Sequence, residues 1–144
     1  MTIEECVAHL KQGGYKCVAA SEQEIVFTSC KKGIAPMLDL YNQVQNSGVK
    51  PVYLADRVFG RGAVFMAKLC GVQFIFSEVA SEQAMRCAAA LGIHMTCSQQ
   101  VPYIMNAAKT GRCPIESAVM DCKDTEIDRA YEAILNKVAS FSKQ

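Results

Sequence analysis

Three segments of this chain carry side chains that could do chemistry. The first is Ala55-Asp56-Arg57-Val58-Phe59-Gly60-Arg61-Gly62-Ala63. Small residues at 60, 62 and 63 let a ligand or a neighbouring backbone approach closely. Unpaired N–H groups at a helix start attract anions, and Arg57 and Arg61 would bring charge to the same place. Asp56 has two readings: an acid–base group facing such a ligand, or the cap of the following helix, with the glycines serving tight helix–sheet packing. The segment is not a P-loop, because G-x-x-x-x-G-K-[ST] is absent. It is not a full G-x-G-x-x-G either, because position 65 is Phe. The second segment is Ala80-Ser81-Glu82-Gln83-Ala84, in which Ser81 is a good N-cap with Ala84 at the third helical position. Ser81 and Glu82 are also candidate ligand contacts. The third is Gly111-Arg112-Cys113-Pro114-Ile115-Glu116. Proline is favoured in the first turn of a helix, so Cys113 falls at the N-cap and Glu116 three positions on. A thiol there feels the positive helix end and Arg112, and both favour the thiolate. Cys113 is therefore a candidate nucleophile or redox thiol, with a structural cap as the other reading. No histidine lies near it in sequence to act as a base. Asn106 is a further polar candidate, for backbone or ligand, and His9 and His94 are weak signals.

These segments need elements to position them. Thr2–Gln12 has helical period, with a capping box from Thr2 to Glu5 and a stop at Gly13-Gly14. Tyr15–Ala20 and Glu24–Cys30 read as a hairpin around Ser21-Glu22-Gln23. Gly33–Asn46 is helical in period, with Ile34, Met37, Leu38, Tyr41 and Val44 on one face. The pattern then alternates. Strands are predicted at Pro51–Ala55, Val72–Ser77 and Ile93–Cys97, and helices at Phe59–Leu69 and Ser81–Leu91. Val101–Arg112 reads as loop with a short helix, and a turn starts at Pro114. The last helix is predicted from Thr125, as its cap, to Ala139, burying Ile127, Ala130, Ile134 and Val138. A hairpin followed by alternating strands and helices predicts a mixed five-stranded sheet whose last three strands are parallel, with helices on both faces. In such sheets ligands bind at the carboxyl ends of the parallel strands, here Asp56-Arg57, Ser77–Ser81 and Ser98-Gln99.

Composition narrows the function classes. Apolar residues make up 51% of the 144 and charged residues 20%, which is enough for a core in one domain and too little charge for disorder. The net charge is +1 and no basic stripe is visible, so no nucleic-acid partner is expected. No apolar run reaches the ~18–20 residues that span a bilayer, so no membrane association is expected. The first ten residues carry two glutamates and no basic stretch, unlike a signal peptide, which places the chain in the cytoplasm. There its eight cysteines are reduced. They stand at 6, 17, 30, 70, 87, 97, 113 and 122, never closer than nine residues, so there is no finger spacing. At least six read as core filler. No metal set and no cofactor motif emerges.

Five motifs in order carry a resemblance: Gly33-Ile34-x-Pro36-Met37-Leu38, Asp56-x-Val58-x-Gly60-Arg61-Gly62-Ala63, Ser81-x-x-Ala84, Val101-Pro102-x-Ile104-x-Asn106 and Cys113-Pro114-Ile115-Glu116. Over residues 15–120 the chain resembles the family called domain of unknown function 1893. Arg61 and Gly62 stand where Lys and Ala are expected in that family. The resemblance implies a cytidine-deaminase-like fold, a three-layer αβα sandwich with sheet order 2-1-3-4-5. Zinc deaminases carry H-x-E at the second helix of that fold and P-C-x-x-C at the third. Asp56–Ala63 and Ser81-Glu82 hold neither, so zinc deaminase activity is not expected. The resemblance leaves a pocket lined by Asp56, Arg61, Ser81 and Cys113, and implies a homodimer. Three functions compete: a binding or sensory domain for a nucleotide-like or other small anionic ligand, held by Arg57, Gly60, Arg61, Gly62, Ser81, Glu82, Asn106 and Glu116; an enzyme with Asp56 as acid–base and Cys113 as nucleophile or redox thiol; and an interaction subunit with adaptable helix faces.

Overall fold

A computed structural model describes residues 1–106 and 110–141. Helix α1 (Ile3–Gly13) is capped as its sequence predicts: Thr2 Oγ1 accepts the Glu5 N–H at 3.1 Å, and Gly14 closes the helix in the left-handed region at φ 67°. Strands β1 (Cys17–Ala20) and β2 (Ile25–Ser29) form the antiparallel hairpin, and the Ser21 hydroxyl accepts the N–H groups of Gln23 and Glu24 in its turn. Then follow α2 (Ala35–Ser47), β3 (Tyr53–Phe59), α3 (Arg61–Cys70), β4 (Phe74–Ser81), α4 (Glu82–Ala90), β5 (His94–Val101), α5 (Pro114–Ala118) and α6 (Ile127–Phe141).

The sheet order is β2-β1-β3-β4-β5. β1 is antiparallel to both of its neighbours, while β3, β4 and β5 are parallel, as predicted. Side chains alternate across the sheet, so β1 serves two cores. Val18 and Ala20, with Ala55, pack against Cys6 and Leu10 of α1 on one face. Cys17 and Ala19, with Leu54 and Ile75, join the larger core on the other face, beneath α2, α3 and α4. α6 packs on α3 and α5, burying Ala130 and Ile134. The faces are therefore unequally covered, with one helix against five. Among the described residues, no helix is long and apolar enough to cross a membrane.

Several boundaries move. β3 was expected to stop at Ala55 but runs to Phe59, so Asp56 and Arg57 lie inside a strand and Phe59 is not helical. β4 runs to Ser81 rather than Ser77, and β5 to Val101 rather than Cys97. The cause is pairing: Val79 is paired with both Val58 and Gln99, and Ala80 with both Phe59 and Gln100, so the polar stretch at the end of β5 is held extended by its neighbour. The carboxyl ends that matter are thus Phe59-Gly60, Ser81 and Val101. Asp56 does not cap α3. The cap position is Gly60, in extended backbone. Nor does Thr125 cap the last helix. Glu126 precedes α6, its carbonyl accepts the Ala130 N–H, and its carboxylate accepts the Lys123 N–H at 2.8 Å. Of the short helix expected within Val101–Arg112, residues 107–109 lie outside the described residues. Among the described ones on either side, Met105 and Arg112 form an antiparallel bridge.

Candidate functional site

Two helix starts meet at the carboxyl end of the parallel strands. The first, at Gly60, is filled from within the chain. The Glu116 carboxylate lies against the backbone at Gly60, close enough to the N–H groups of Arg61 and Gly62 for them to lower its pKa, where an anionic ligand was expected to sit. Glycine at 60 is what admits it, since a Cβ there would overlap the carboxylate. Glycine at 62 admits its neighbour, because a Cβ would stand 2.6 Å from Ile115 Cγ2. The close approach that these small residues permit is that of α5. Burial raises the pKa of Glu116, against the lowering effect of the N–H groups and the Arg61 charge.

Arg61 lies inward with 9% of its surface exposed. Its Nε donates to Asp124 Oδ1 at 3.0 Å, Nη1 to the Val119 carbonyl at 2.8 Å, and Nη2 to the Cys122 carbonyl, while the guanidinium lies over the Phe65 ring. It ties the segment between α5 and α6 to α3. Arg57 lies on the opposite face of the sheet. It donates to the carbonyls of Leu10 and Tyr15 at the end of α1 and to Glu78 Oε2 at 2.9 Å. The structure thus separates the two arginines and gives each a set of protein partners.

The second helix start is capped by Ser81, whose hydroxyl accepts the Ala84 N–H at 3.1 Å, as its sequence predicts. Glu82 is exposed and pairs with Arg86 one turn on. Beside Ser81 opens a cleft of about 10 Å³, lined by Gln83, Tyr103, Arg112, Glu116 and Ser117 among others. That volume admits about one water or one small polar group. Arg112 stands over the Tyr103 ring at 4.8 Å. Each of the other four arginines pairs with a carboxylate, and among the described residues Arg112 has none. Asn106 closes the adjoining loop, accepting the Thr110 N–H and donating to its hydroxyl.

Asp56 is set apart from this cleft. Its Oδ1 accepts the N–H groups of Arg57 at 2.7 Å and Val58 at 3.2 Å. The reason is local: β1 pairs with β3 only as far as Cys17 opposite Asp56, and the carboxyl serves the backbone beyond that end. Burial pushes its pKa up to about 7, the range of a general acid or base, although hydrogen bonds from Val58, Cys17 and Arg57 pull down. The thiol it meets is that of Cys17, not Cys113. Burial also raises Cys17 well above the usual thiol range. Cys113 sits at the cap of the five-residue α5, half-buried against the larger core, its N–H donated to the Ile104 carbonyl. The site lining therefore brings together Ser81 and Glu116 of the expected residues, with Asn106 and Cys113 nearby in the chain. Arg57, and the pairing of Asp56 with Cys113, fall outside it. Sequence reasoning missed Cys17, Asp124, Gln83 and Tyr103. The register of β1 against β3 alone could have flagged Cys17, since it sets that residue opposite Asp56.

The helix starts carry no His and no Cys: they read Gly60-Arg61-Gly62-Ala63 and Ser81-Glu82-Gln83-Ala84. Among the described residues, no group of three His, Cys, Asp or Glu side chains is arranged to hold a metal ion.

Comparison with known proteins adds two findings. The model of a family described as a domain of unknown function (DUF1893) matches residues 5–138. The crystal structure of a DUF1893 family protein from Thermotoga maritima, at 2.70 Å resolution, is similar to this chain with a TM-score of 0.79. It shares 16% sequence identity, over 96% of this chain and 88% of that one. At that identity the likeness speaks for the fold. No curated protein matches the chain.

Proposed function

This chain belongs to the family described as a domain of unknown function, DUF1893, and from that premise we propose that it is a binding or sensory domain for a small anionic ligand, nucleotide-like in class. The ligand places a phosphate or carboxylate group over Arg112 at the cleft beside Ser81. The observation that carries the reading is the Arg112 guanidinium, at the cleft rim and lying over an exposed aromatic ring, without a carboxylate partner among the described residues. A planar guanidinium of that kind suits bidentate recognition of phosphate or carboxylate. The Ser81 and Ser117 side chains add polar groups to the wall. The cleft is too small for a base or sugar, so the ring of the ligand lies outside it, against Tyr103. The same proposal includes a cytidine-deaminase-like fold, for which the sheet order β2-β1-β3-β4-β5 is the support. The helix starts that would carry zinc ligands in a deaminase hold glycine, arginine and serine here, which supports binding without that reaction.

The test is a thermal-shift panel of nucleosides, nucleotides and nucleotide sugars on the full chain and on Arg112→Ala. Ligand at ~100 times its dissociation constant adds ~2.7 kcal/mol of stability. The wild type shifts with at least one phosphorylated member, and Arg112→Ala, itself stable to within ~0.5 kcal/mol of wild type because the residue is exposed, does not. A silent panel, or a shift that survives the substitution, removes the reading.

A further inference from the structure

The cleft beside Ser81 sets one cation against one carboxylate. Among the described residues that line it, Arg112 is the one positive side chain and Glu116 the one negative. Its volume of about 10 Å³ admits a single small polar group. Glu116 is held from behind. Its carboxylate packs against the backbone at Gly60, where a Cβ would overlap it, and the neighbouring Ile115 is buried against Gly62. An arriving anion therefore meets a carboxylate that leaves only by uncovering the α3 start. Between Ser81 and Gln83 stands Glu82, a further acidic residue, in the first turn of α4.

The rim around that pair is apolar. Tyr103 and Met120 line the cleft and are exposed, and Met105, exposed as well, is bridged to Arg112 through the backbone. An aromatic ring and two methionines offer contact area to a flat ligand body. They offer nothing with which a second or third phosphate could pair.

We propose that the ligand's anionic head is a phosphodiester, one negative charge shared by two free oxygens, and that Glu116 is the residue that selects it over doubly charged phosphates. The inference rests on the reading of the Arg112 cleft given above and narrows it. Two free oxygens match the fork of a guanidinium, and their single charge neutralises Arg112 with none left over. A phosphomonoester carries close to two charges above pH 7. Its second charge finds no further cation among the described lining residues and shares the cleft with the Glu116 carboxylate. Di- and triphosphates add more charge on the same side. A cyclic mononucleotide and a dinucleoside monophosphate both present the required group, each with a base free to lie on Tyr103.

Titration calorimetry of the full chain at pH 8 tests this with ligands of one base: the nucleoside, its 3′,5′-cyclic monophosphate, the dinucleoside monophosphate, and the 5′-mono-, di- and triphosphates. That pH favours the ionised form of Glu116 against the burial that raises its pKa. The wild type binds one of the two diesters at least ~5-fold more tightly than the 5′-monophosphate, the effect of one unpaired like charge a few ångström away. Which diester binds identifies the source of the group. Arg112→Ala binds neither. Glu116→Gln closes the gap between diester and monophosphate. Ser117→Lys closes it as well, by supplying a second cation from an exposed position on the same wall, where a substitution leaves the fold intact. A 5′-monophosphate bound as tightly as the diesters, and lost in Arg112→Ala, overturns the selection and leaves the anion site standing. A gap that persists in a folded Glu116→Gln protein, or in Ser117→Lys, overturns the role of Glu116. If no phosphorylated ligand binds, the selection and the reading of the site fall together.

Discussion

The buried Asp56 makes folding pH-dependent in a direction opposite to that of most carboxylates. An aspartate in an unfolded chain titrates near ~3.9. In the folded protein burial holds Asp56 at about 7. The native state therefore keeps a proton that the unfolded chain releases, and between these values stability falls as pH rises, by ~1.4 kcal/mol per pH unit. The contribution is fully present below pH ~3.9 and gone above about 7. From pH 5 to pH 8 the group costs ~2.5 kcal/mol, or ~5–10 °C of melting temperature for a domain of this size. Asp56→Asn removes the titration and keeps an acceptor oxygen for the Arg57 and Val58 N–H groups. Urea unfolding of both proteins at pH 5, 6, 7 and 8 isolates the effect, because all other groups titrate alike in the two. The variant gains on the wild type by ~2.5 kcal/mol as pH rises from 5 to 8. Parallel stability curves would refute the reasoning, and a wild type that gains relative to the variant would reverse its sign.

Two further perturbations probe the filled helix start. Arg61→Ala strands Asp124 and the carbonyls of Val119 and Cys122, so unfolding in urea shows a loss of ~2–4 kcal/mol, with the α5–α6 segment the first to gain amide exchange. Gly60→Ala ejects the flexible Glu116 carboxylate from the α3 start and costs ~1–2 kcal/mol, close to the value of a lost N-cap. Adding Glu116→Ala to it then costs little more. A double-mutant cycle whose two losses simply add would show that the carboxylate and the glycine do not share a site.

Element types were legible in the sequence wherever periodicity carried them. Thr2, Ser81 and the two hydrophobic faces of α2 and α6 act as their spacing predicts, and the sheet order matches the resemblance. Strand ends were not legible. Asp56-Arg57-Val58-Phe59 and Ser98-Gln99-Gln100 lack the signature of strands, and they are extended because β4 pairs with them, which is a fact about neighbours and not about local propensity. That shift of four residues is what misplaced the site: it moved Asp56 from a helix cap into the sheet, and it turned Arg57 to the α1 face by the two-residue alternation of a strand.

The same reasoning explains why the glycine-rich helix start was recognised and its occupant was not. Local sequence states that Gly60 and Gly62 permit close approach, and that N–H groups at a helix start want an anion. It does not state whose anion. Glu116 lies far away in the chain, brought there by α5, and the three groups that fix that segment on Arg61 are equally remote, at 119, 122 and 124. A carboxylate supplied in this way has a defined strength: burial already raises its pKa, so protonation weakens its hold on the helix start more readily than on a solvated cap. The chain thus fills the α3 helix start internally and leaves Arg112, without a carboxylate partner among the described residues, at the cleft that Glu116 also lines. On the proposed function, a ligand phosphate at Arg112 would approach that carboxylate as a like charge, so binding would favour the protonated form of Glu116; the ratio of wild-type to Glu116→Gln affinity for a phosphorylated ligand, measured by titration calorimetry, would rise as pH falls, and a ratio constant with pH would refute the coupling.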